Sequence, residues 1–332
     1  MNKDFQHHLF EFQKLPDNQK SFFDVMMSQL SRLFNLNPDK HYLKLLSSNL
    51  VEYADAVSVF QTYRQIPKVC IFGSARTKHN HPLYLLAESL SKRLSELGYM
   101  VITGAGPGIM EAGNKGAGSK SFGLNILLPF EQDANKYIKN SEKLVSFKYF
   151  FLRKLVFVKE SMATILFPGG FGTFDEAFEV LTLLQTGRTS PQPLILLDEP
   201  NSQYWSSWIN LIKDQLLGNS YICKEDLFLF KHCTTIQECE KHISSFYSVY
   251  SSIKYFEDCS MIYTKSKLPS SLLSTLNKDF NHLLTSGEFS YVEDFVHEYP
   301  TDDHMAKFAL KFNFDCKQFS GLVRLIDRIN LV

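Results

Sequence analysis

The central part of the chain alternates short apolar runs with amphipathic segments, and this alternation restricts the possible folds more than any other feature. The first run, Lys68–Gly73, ends in a glycine, and Leu83–Leu97 then places leucines on one helical stripe. Gly98 marks the end of that predicted helix. Strands that alternate with helices predict a parallel sheet with helices on both faces and right-handed crossovers. The predicted fold class is therefore α/β, with a doubly wound parallel sheet.

Further strands and helices are predicted by the same alternation. The strands are Tyr99–Thr103, Gly123–Leu128, Ala163–Phe167 and Pro193–Leu197, and the helices are Ile109–Gly118, Tyr149–Glu160 and Tyr204–Leu217.

The chain divides into three predicted parts. Residues 1–64 contain no glycine and repeat apolar residues at helical spacing, which predicts a helical N-terminal extension. Residues 65–250 form the alternating core. Serines and a proline interrupt the pattern beyond residue 250, and Leu272–Leu284 and Met305–Leu331 then predict a helical C-terminal extension over 251–332.

Composition narrows the functional class. The 332 residues carry 35 Lys and Arg against 35 Asp and Glu, a balance that argues against a dedicated nucleic-acid binder. None of the six cysteines follows a zinc-binding spacing, and Cys70 is expected to act as a small core residue. We expect no signal peptide, no membrane span and no metal, and a cytoplasmic location. His79 and His81 are expected to be solvated loop residues.

Three glycine-rich segments follow predicted strands. They are Gly73–Arg76, Gly104–Gly108 and Gly169–Gly172. Ligands of doubly wound sheets bind outside the carboxyl ends of the strands, so the three segments are predicted to form one wide polar crevice.

The most specific motif is Phe167–Glu176, which reads F-P-G-G-F-G-T-F-D-E between a predicted strand and a predicted helix. Glycines allow a ligand to approach the main chain, and a helix N-terminus binds anions through its free N–H groups. We therefore predict that Gly169, Gly170, Gly172 and Thr173 bind a phosphate. Glu176 falls in the first helical turn, beside the same anion site.

Two common nucleotide-binding motifs are not supported. Gly104–Gly108 has G-x-G-x-G spacing, Ile109 replaces the third glycine, and the segment follows the second strand rather than the first. A G-x-x-x-x-G-K-[ST] loop is absent from the sequence, so an NAD enzyme and a P-loop ATPase are both disfavoured.

Four segments together resemble the LOG (Lonely Guy) family, formerly labelled "lysine decarboxylase-like", and specifically its longer bacterial forms. They are Gly104–Ala112, Gly123–Ile126 with Leu128–Pro129, Phe151–Lys154 and Pro168–Glu176. The resemblance covers roughly residues 67–245, and its distinctive element is P-G-G-x-G-T-x-x-E with Arg153 placed 23 residues before Glu176. It implies a Rossmann-like fold, a homodimer or higher homo-oligomer, and hydrolysis of nucleoside 5′-monophosphates to a free base and ribose 5-phosphate.

The resemblance also implies roles for individual residues. Arg153 is expected to be essential, contacting the phosphate or the base edge. Glu176 is the candidate carboxylate for stabilising positive charge at C1′ and activating water, as N-glycoside cleavage requires. Substrates of the AMP or N6-substituted AMP type are expected, with no cofactor.

The remaining candidates for substrate binding are Gly104, Gly106, Gly108, Ser74, Arg76, Glu111 and Lys154. Several of them also have an ordinary structural interpretation. Ser74 and Arg76 are also typical of a polar loop, Glu111 of a helix cap, and Lys154 of a solvated helix position.

Three other functions remain open at this point. A nucleotide-binding sensor would keep the glycine loops without turnover. A pyridoxal-phosphate decarboxylase would require a lysine that forms a Schiff base. An NAD oxidoreductase would require the dinucleotide spacing that is missing here.

Overall fold

The computed structural model describes residues 17–128, 133–292, 295, 303 and 305–331. The chain divides into two compact units, residues 1–54 and 55–332. Helices α1 (Asp17–Asn35) and α2 (Lys40–Gln61) confirm the helical character predicted for the N-terminal extension. Pro129, one residue of the family motifs, lies outside the described residues. The proposed domain boundaries after residues 64 and 250 remain predictions.

Seven parallel strands form the main sheet in the order β4-β3-β2-β1-β5-β6-β7. They are β1 (Lys68–Phe72), β2 (Met100–Thr103), β3 (Ser121–Ile126), β4 (Leu144–Phe147), β5 (Ala163–Leu166), β6 (Leu194–Leu197) and β7 (Lys231–Cys233). The α/β doubly wound prediction is therefore confirmed. The two outermost strands, β4 and β7, were not predicted, because each is only three or four residues long and partly exposed.

Helices connect the strands of this sheet. They are α3 (Pro82–Glu96), α4 (Ile109–Ala117), α5 (Phe150–Glu160), α6 (Phe171–Gln185), α7 (Tyr204–Leu211) and α8 (Ile236–Phe246). A π-helical segment, Ile212–Leu217, continues α7.

Side chains that alternate along each strand build two apolar layers. Val69 and Ile71 of β1 pack into one buried cluster, whereas Cys70 and Phe72 belong to the cluster on the opposite face. All five residues of β1 are buried, as expected for a strand covered by helices on both sides. The sheet is therefore a rigid platform from which the loops at its carboxyl edge project.

The C-terminal extension contains a second sheet that the sequence analysis did not predict. Four antiparallel strands pair in the order β10-β11-β9-β8, and they are β8 (Tyr250–Tyr255), β9 (Ser260–Thr264), β10 (Leu284–Val292) and β11 (Phe308–Phe314). Helices α9 (Ser270–Asp279) and α10 (Phe319–Ile329) accompany this sheet.

The prediction of one helix over Met305–Leu331 is wrong for its first half. Phe308–Phe314 reads F-A-L-K-F-N-F, and its residues 308–312 pair with β9. Phe312 and Phe314 are buried on alternate positions, which is the period of a strand. The helical pattern begins only at Phe319.

The extension is joined to the core through polar and apolar contacts. Asn330 Oδ1 accepts hydrogen bonds from the N–H groups of Val249 and Tyr250, both at 2.9 Å, and its Nδ2 donates to the carbonyl of Phe246 at 2.6 Å. Phe319 packs against Gly187, where a Cβ atom would lie 2.1 Å from the ring. Within the described ranges, no helix combines the length and apolar character needed to cross a membrane.

Candidate functional site

A cavity of about 1110 Å³ opens beyond the carboxyl ends of β1 and β5. The strand order reverses between these two neighbours, since β1 continues toward β2 on one side and β5 toward β6 on the other. Such a switch point is where doubly wound sheets bind ligands. The cavity is lined chiefly by the loop Phe72–Lys78 and the segment Pro168–Glu176, with Arg153, Met110 and Phe150.

The segment between β5 and α6 is fixed by its own backbone. The N–H of Ser74 donates to the carbonyl of Pro168 at 3.1 Å, which ties the two lining loops together. A Cβ atom at Gly169 would lie 2.1 Å from Thr173 Oγ1 and 3.0 Å from the Ser74 nitrogen, so only glycine fits there. At Gly170 and Gly172 a Cβ atom would meet nothing within 4 Å.

Helix α6 begins with open backbone donors. No side chain caps its N-terminus at Gly170. The N–H groups of Gly170, Phe171 and Gly172 have no hydrogen-bond partner among the described residues. These donors and the positive end of the helix dipole lie at the cavity, which is the arrangement that anion binding requires. Phosphate binding by Gly169, Gly170, Gly172 and Thr173 remains a prediction.

Arg153 places a buried cation at the cavity. Its side chain is 7% exposed, its Nε donates to the carbonyl of Leu124 at 2.7 Å, and Nη2 reaches the carbonyl of Gly104 at 3.4 Å. Burial lowers the pKa of Arg153, and the charges of Glu176 and Asp175 oppose that shift. A guanidinium stays protonated in proteins, so Arg153 is a fixed positive charge with donors left for a ligand.

Glu176 places a carboxyl group on the same cavity. It is 6% exposed and lies in the second turn of α6, not in the first turn as the sequence analysis predicted, because the helix begins at Phe171. Burial raises the pKa of Glu176 above its ordinary value of 4.5, while Lys154 and Arg153 act in the opposite direction. A buried carboxyl with a raised pKa beside a cation is suited to proton transfer or to stabilising positive charge.

Lys154 lies outside the lining of this cavity and is surrounded by acids. Its Nζ is 2.6 Å from Glu179 Oε2, 2.9 Å from Asp175 Oδ2 and 3.4 Å from Glu176 Oε2. Burial alone lowers the pKa of Lys154, but Glu179, Asp175 and Glu176 outweigh it and raise the pKa above 10.5. Lys154 is therefore positioned to hold Glu176, and its role in contacting substrate remains a prediction.

The segment after β2 supports the cavity from behind rather than lining it. A Cβ atom at Gly104 would lie 2.4 Å from Arg153 Nη2, and one at Gly108 would lie 2.3 Å from the carbonyl oxygen of Ser74. Gly108 also has φ of +68°, which favours glycine. The carbonyl of Gly106 accepts a hydrogen bond from Asn135 at 3.0 Å.

The carboxylate of Glu111 contacts other side chains and does not line the cavity. It lies 3.1 Å from His79 Nε2 and 4.0 Å from Lys136 Nζ. Ser74 and Arg76, in contrast, do line the cavity, and Ser74 Oγ accepts a hydrogen bond from the Arg76 N–H at 3.1 Å. Binding roles for Glu111 and for the glycines after β2 remain predictions.

Sequence reasoning did not assign several residues that shape the site. Asp175 and Glu179 surround Lys154, and their spacing on α6 could have indicated this, because residues one turn apart share a helix face. Tyr204, whose hydroxyl contacts Gly169, carries no comparable sequence signal. His79 and His81 do not act as a pair, since His79 contacts Glu111 and His81 Nδ1 accepts from the Leu83 N–H. No cluster of three potential metal ligands occurs in the part of the chain that the structure describes.

The fold and the cavity define a class of protein: an α/β domain with a Rossmann-like parallel sheet and a glycine-lined cavity at its switch point. Residues 107–243 match the family model described as "Possible lysine decarboxylase". This match agrees with the resemblance to the LOG family that the motifs carry.

Solved structures with this fold include a protein designated TM1055, at 21% identity and TM-score 0.39, aligned over 54% of this chain and 99% of that one. Another is the molybdenum cofactor binding protein of Rippkaea orientalis, at 20% identity and TM-score 0.38, over 55% and 97%. DNA processing protein A of Helicobacter pylori aligns at 16% identity and TM-score 0.37, over 53% and 79%. The comparison with curated proteins gave no significant match.

Proposed function

We propose that the chain hydrolyses the N-glycosidic bond of a nucleoside 5′-monophosphate of the AMP or N6-substituted AMP type. The observation that carries this proposal is the meeting of Arg153, Glu176 and the open N-terminus of α6 on one cavity. An anion site, a fixed cation and a carboxyl of raised pKa are the groups that phosphate binding and N-glycoside cleavage require.

In the proposed reaction the 5′-phosphate binds at Gly169–Thr173, which places the ribose beside Glu176. The bond between C1′ and the base nitrogen breaks, and the base leaves with the electron pair. Ionised Glu176 stabilises the oxocarbenium-like state and takes a proton from the attacking water, whose oxygen bonds to C1′. The proton that Glu176 takes from the water is passed on through solvent to the base nitrogen, so Glu176 is ionised again and the products are free base and ribose 5-phosphate.

Arg153 assists as a donor rather than as an acid. Its guanidinium keeps its protons, so it donates hydrogen bonds to the phosphate or to the base edge and balances developing negative charge. The buried position of Arg153 makes these interactions stronger than they would be in water. No cofactor enters this scheme.

A pyridoxal-phosphate decarboxylase is a weaker proposal. A Schiff-base lysine must lose its proton to react, and lysines used in this way have lowered pKa values. Lys154 has a raised pKa and three acidic partners. The protein is accordingly expected to show no aldimine absorption band when mixed with pyridoxal phosphate.

A homodimer is part of the proposal. Helices α5 and α6 expose several large apolar side chains, and they are Phe150 (49% exposed), Phe151 (59%), Leu155 (52%), Phe171 (95%) and Phe178 (44%). Exposed apolar clusters of this kind favour association, and the family resemblance favours a second copy of this chain. Phe150 and Phe171 also line the cavity, so the partner would lie at its mouth. A cytoplasmic location is proposed as well, since no two cysteines of the sequence have C-x-x-C spacing.

The proposal is tested by ribose 5-phosphate release from AMP, GMP, CMP, IMP and N6-isopentenyl AMP. We expect wild-type protein to release ribose 5-phosphate from at least one adenine nucleotide. Glu176→Gln should reduce kcat by at least about 100-fold, because it removes the proton acceptor without changing the size of the side chain.

Glu179→Gln is the matched control for this substitution. Glu179 lies on the same helix and contacts the same lysine, but it does not line the cavity. It should therefore keep most of the activity. Nucleotide binding without release by wild-type protein would favour a sensor, and equal losses in both variants would contradict the role assigned to Glu176.

A further inference from the structure

The main chain of Gly169 is held by the hydroxyl of one tyrosine. Tyr204 Oη donates to the Gly169 carbonyl at 2.5 Å and accepts from the Gly169 N–H at 3.2 Å. Both polar groups of this glycine are thus satisfied by a single side chain. Tyr204 belongs to α7 and does not line the cavity, so it holds the segment from outside.

The tyrosine is itself fixed by its surroundings. Its ring stacks on Phe174 at a centroid distance of 6.1 Å and meets Trp205 edge-on at 4.9 Å. The start of α7 is anchored by Asp198, a fully buried carboxylate that accepts from the Trp205 N–H at 3.3 Å and lies 2.8 Å from His232 Nε2. A hydroxyl at the end of such a rigid assembly has little freedom to move.

The orientation of Gly169 affects the anion site directly. The open donors of Gly170, Phe171 and Gly172 follow it, and their directions depend on how the chain leaves Gly169. No side chain caps α6, and none of these three N–H groups has a partner in the described ranges. Their direction therefore depends on the main-chain bonds of the segment, Ser74 to Pro168 and Thr173 to Gly170, and on the tyrosine that holds Gly169.

We propose that Tyr204 is a positioning residue for phosphate recognition, acting through Gly169 on the donors at the N-terminus of α6. This inference rests on the proposed function for the identity of the ligand, a 5′-phosphorylated ribose. The hydroxyl keeps the donors aligned before the ligand arrives, and such preorganisation lowers the cost of binding. The effect falls on phosphate affinity and leaves the chemistry at C1′ to Glu176 and Arg153.

The test is Tyr204→Phe, which keeps the ring between Phe174 and Trp205 and removes only the hydroxyl. Binding of ribose 5-phosphate and of AMP is measured by calorimetry, and adenine is the probe without phosphate. We expect ribose 5-phosphate and AMP to bind about tenfold more weakly, the loss typical of a hydrogen bond or two. Adenine affinity should be unchanged, and in turnover KM should rise more than kcat falls.

Tyr247→Phe is the matched control, because Tyr247 Oη also donates to a backbone carbonyl, that of Met162 at 2.7 Å, away from the cavity. It should lose stability without losing phosphate affinity. Unchanged ribose 5-phosphate affinity in Tyr204→Phe, or an equal loss for adenine, would overturn the inference.

The role of Tyr204 is tested by binding and the proposed reaction by product release. One can therefore be contradicted without the other. Wild-type protein that binds ribose 5-phosphate but releases none from nucleotides would contradict the reaction alone. Wild-type protein that binds neither ribose 5-phosphate nor AMP would contradict both.

Discussion

At the scale of single residues, the candidate site depends on charges that burial has altered. Glu176 is 6% exposed, and its carboxylate shares Lys154 with two other acids. Desolvation disfavours its ionised form more than Lys154 and Arg153 favour it, so the pKa rises. The pKa of Glu176 is thereby brought closer to the pH at which the protein works, which favours a group that accepts a proton.

This shift predicts a pH signature. Glu176 loses its charge as the pH falls through its pKa, so kcat/KM should fall on an acid limb that lies above pH 4.5. The charge of Glu179 contributes to the raised pKa, and Glu179→Gln should move the limb to lower pH. The measurement is kcat/KM for AMP against pH in both proteins. A wild-type limb at or below pH 4.5 would contradict the assigned role.

The raised pKa of Glu176 also makes the stability of the folded state depend on pH. Between the unfolded and the folded pKa of Glu176, the folded state holds more protons, so stability from this group decreases as the pH rises through that window. Folding therefore favours the protonated form of Glu176, and the ionised carboxylate is present at a cost in stability. Such a cost is common for groups at functional sites.

At the scale of elements, the glycines at the N-termini of α4 and α6 are of two kinds. Gly169 and Gly108 are required by the packing, since added Cβ atoms would clash with Thr173 Oγ1 and with the Ser74 carbonyl. Gly172 has free space at the Cβ position and lines the cavity. The absence of a side chain at Gly172 is therefore not required by the packing, and it leaves room for a ligand in the cavity.

Alanine substitutions separate these two kinds of glycine. Gly172→Ala should fold with stability within about 1 kcal/mol of wild type, because the Cβ atom meets no protein atom. It should weaken ribose 5-phosphate binding, since the methyl group occupies space at the cavity. Gly108→Ala should lose about 1–3 kcal/mol of stability through strain at its positive φ and the clash.

Urea denaturation and calorimetry on the two alanine variants provide the measurements. Unchanged phosphate affinity in Gly172→Ala would contradict an anion site at this helix terminus. An undisturbed stability in Gly108→Ala would contradict the packing role of that glycine.

At the scale of the whole molecule, helices α5 and α6 expose large apolar side chains, two of which line the cavity. Leu155 is 52% exposed and lies near Phe151, which is 59% exposed. Single exposed leucines are ordinary in proteins, but a cluster beside a binding cavity points to an interface. The proposed homodimer accounts for this face and for the position of Phe171 at the cavity.

The expected mass of the dimer is twice 38.2 kDa, measured by light scattering or sedimentation equilibrium. Leu155→Glu should dissociate it, because a charge in an apolar interface costs several kcal/mol when unpaired. Leu85→Glu is the matched control, since Leu85 is also 52% exposed but lies on α3. A monomeric wild type, or a dimer that both variants leave intact, would contradict the proposed interface.

Much of the core was predictable because its signals are local. The strands β1, β2, β3, β5 and β6 are buried apolar runs bounded by glycine or proline, and helix α3 has a leucine stripe with a clear end. The second sheet was missed since β8 and β10 carry many polar residues, and since β11 pairs with β9, which lies far before it in the chain. The pairing of strands that are distant in the chain cannot be recognised from a short stretch of sequence.

The sequence alone determined the fold class, because that depends on periodicity. It also offered Gly169–Thr173, Arg153 and Glu176 as candidates for the site, from local motifs and the family resemblance that they carry. Only the tertiary structure decided that β1 and β5 are neighbours, that Lys154 is held by three acids and that Tyr204 fixes Gly169. These features depend on which distant segments the packing brings within a few ångströms. Burial and pKa follow from that packing, and no window of sequence contains it.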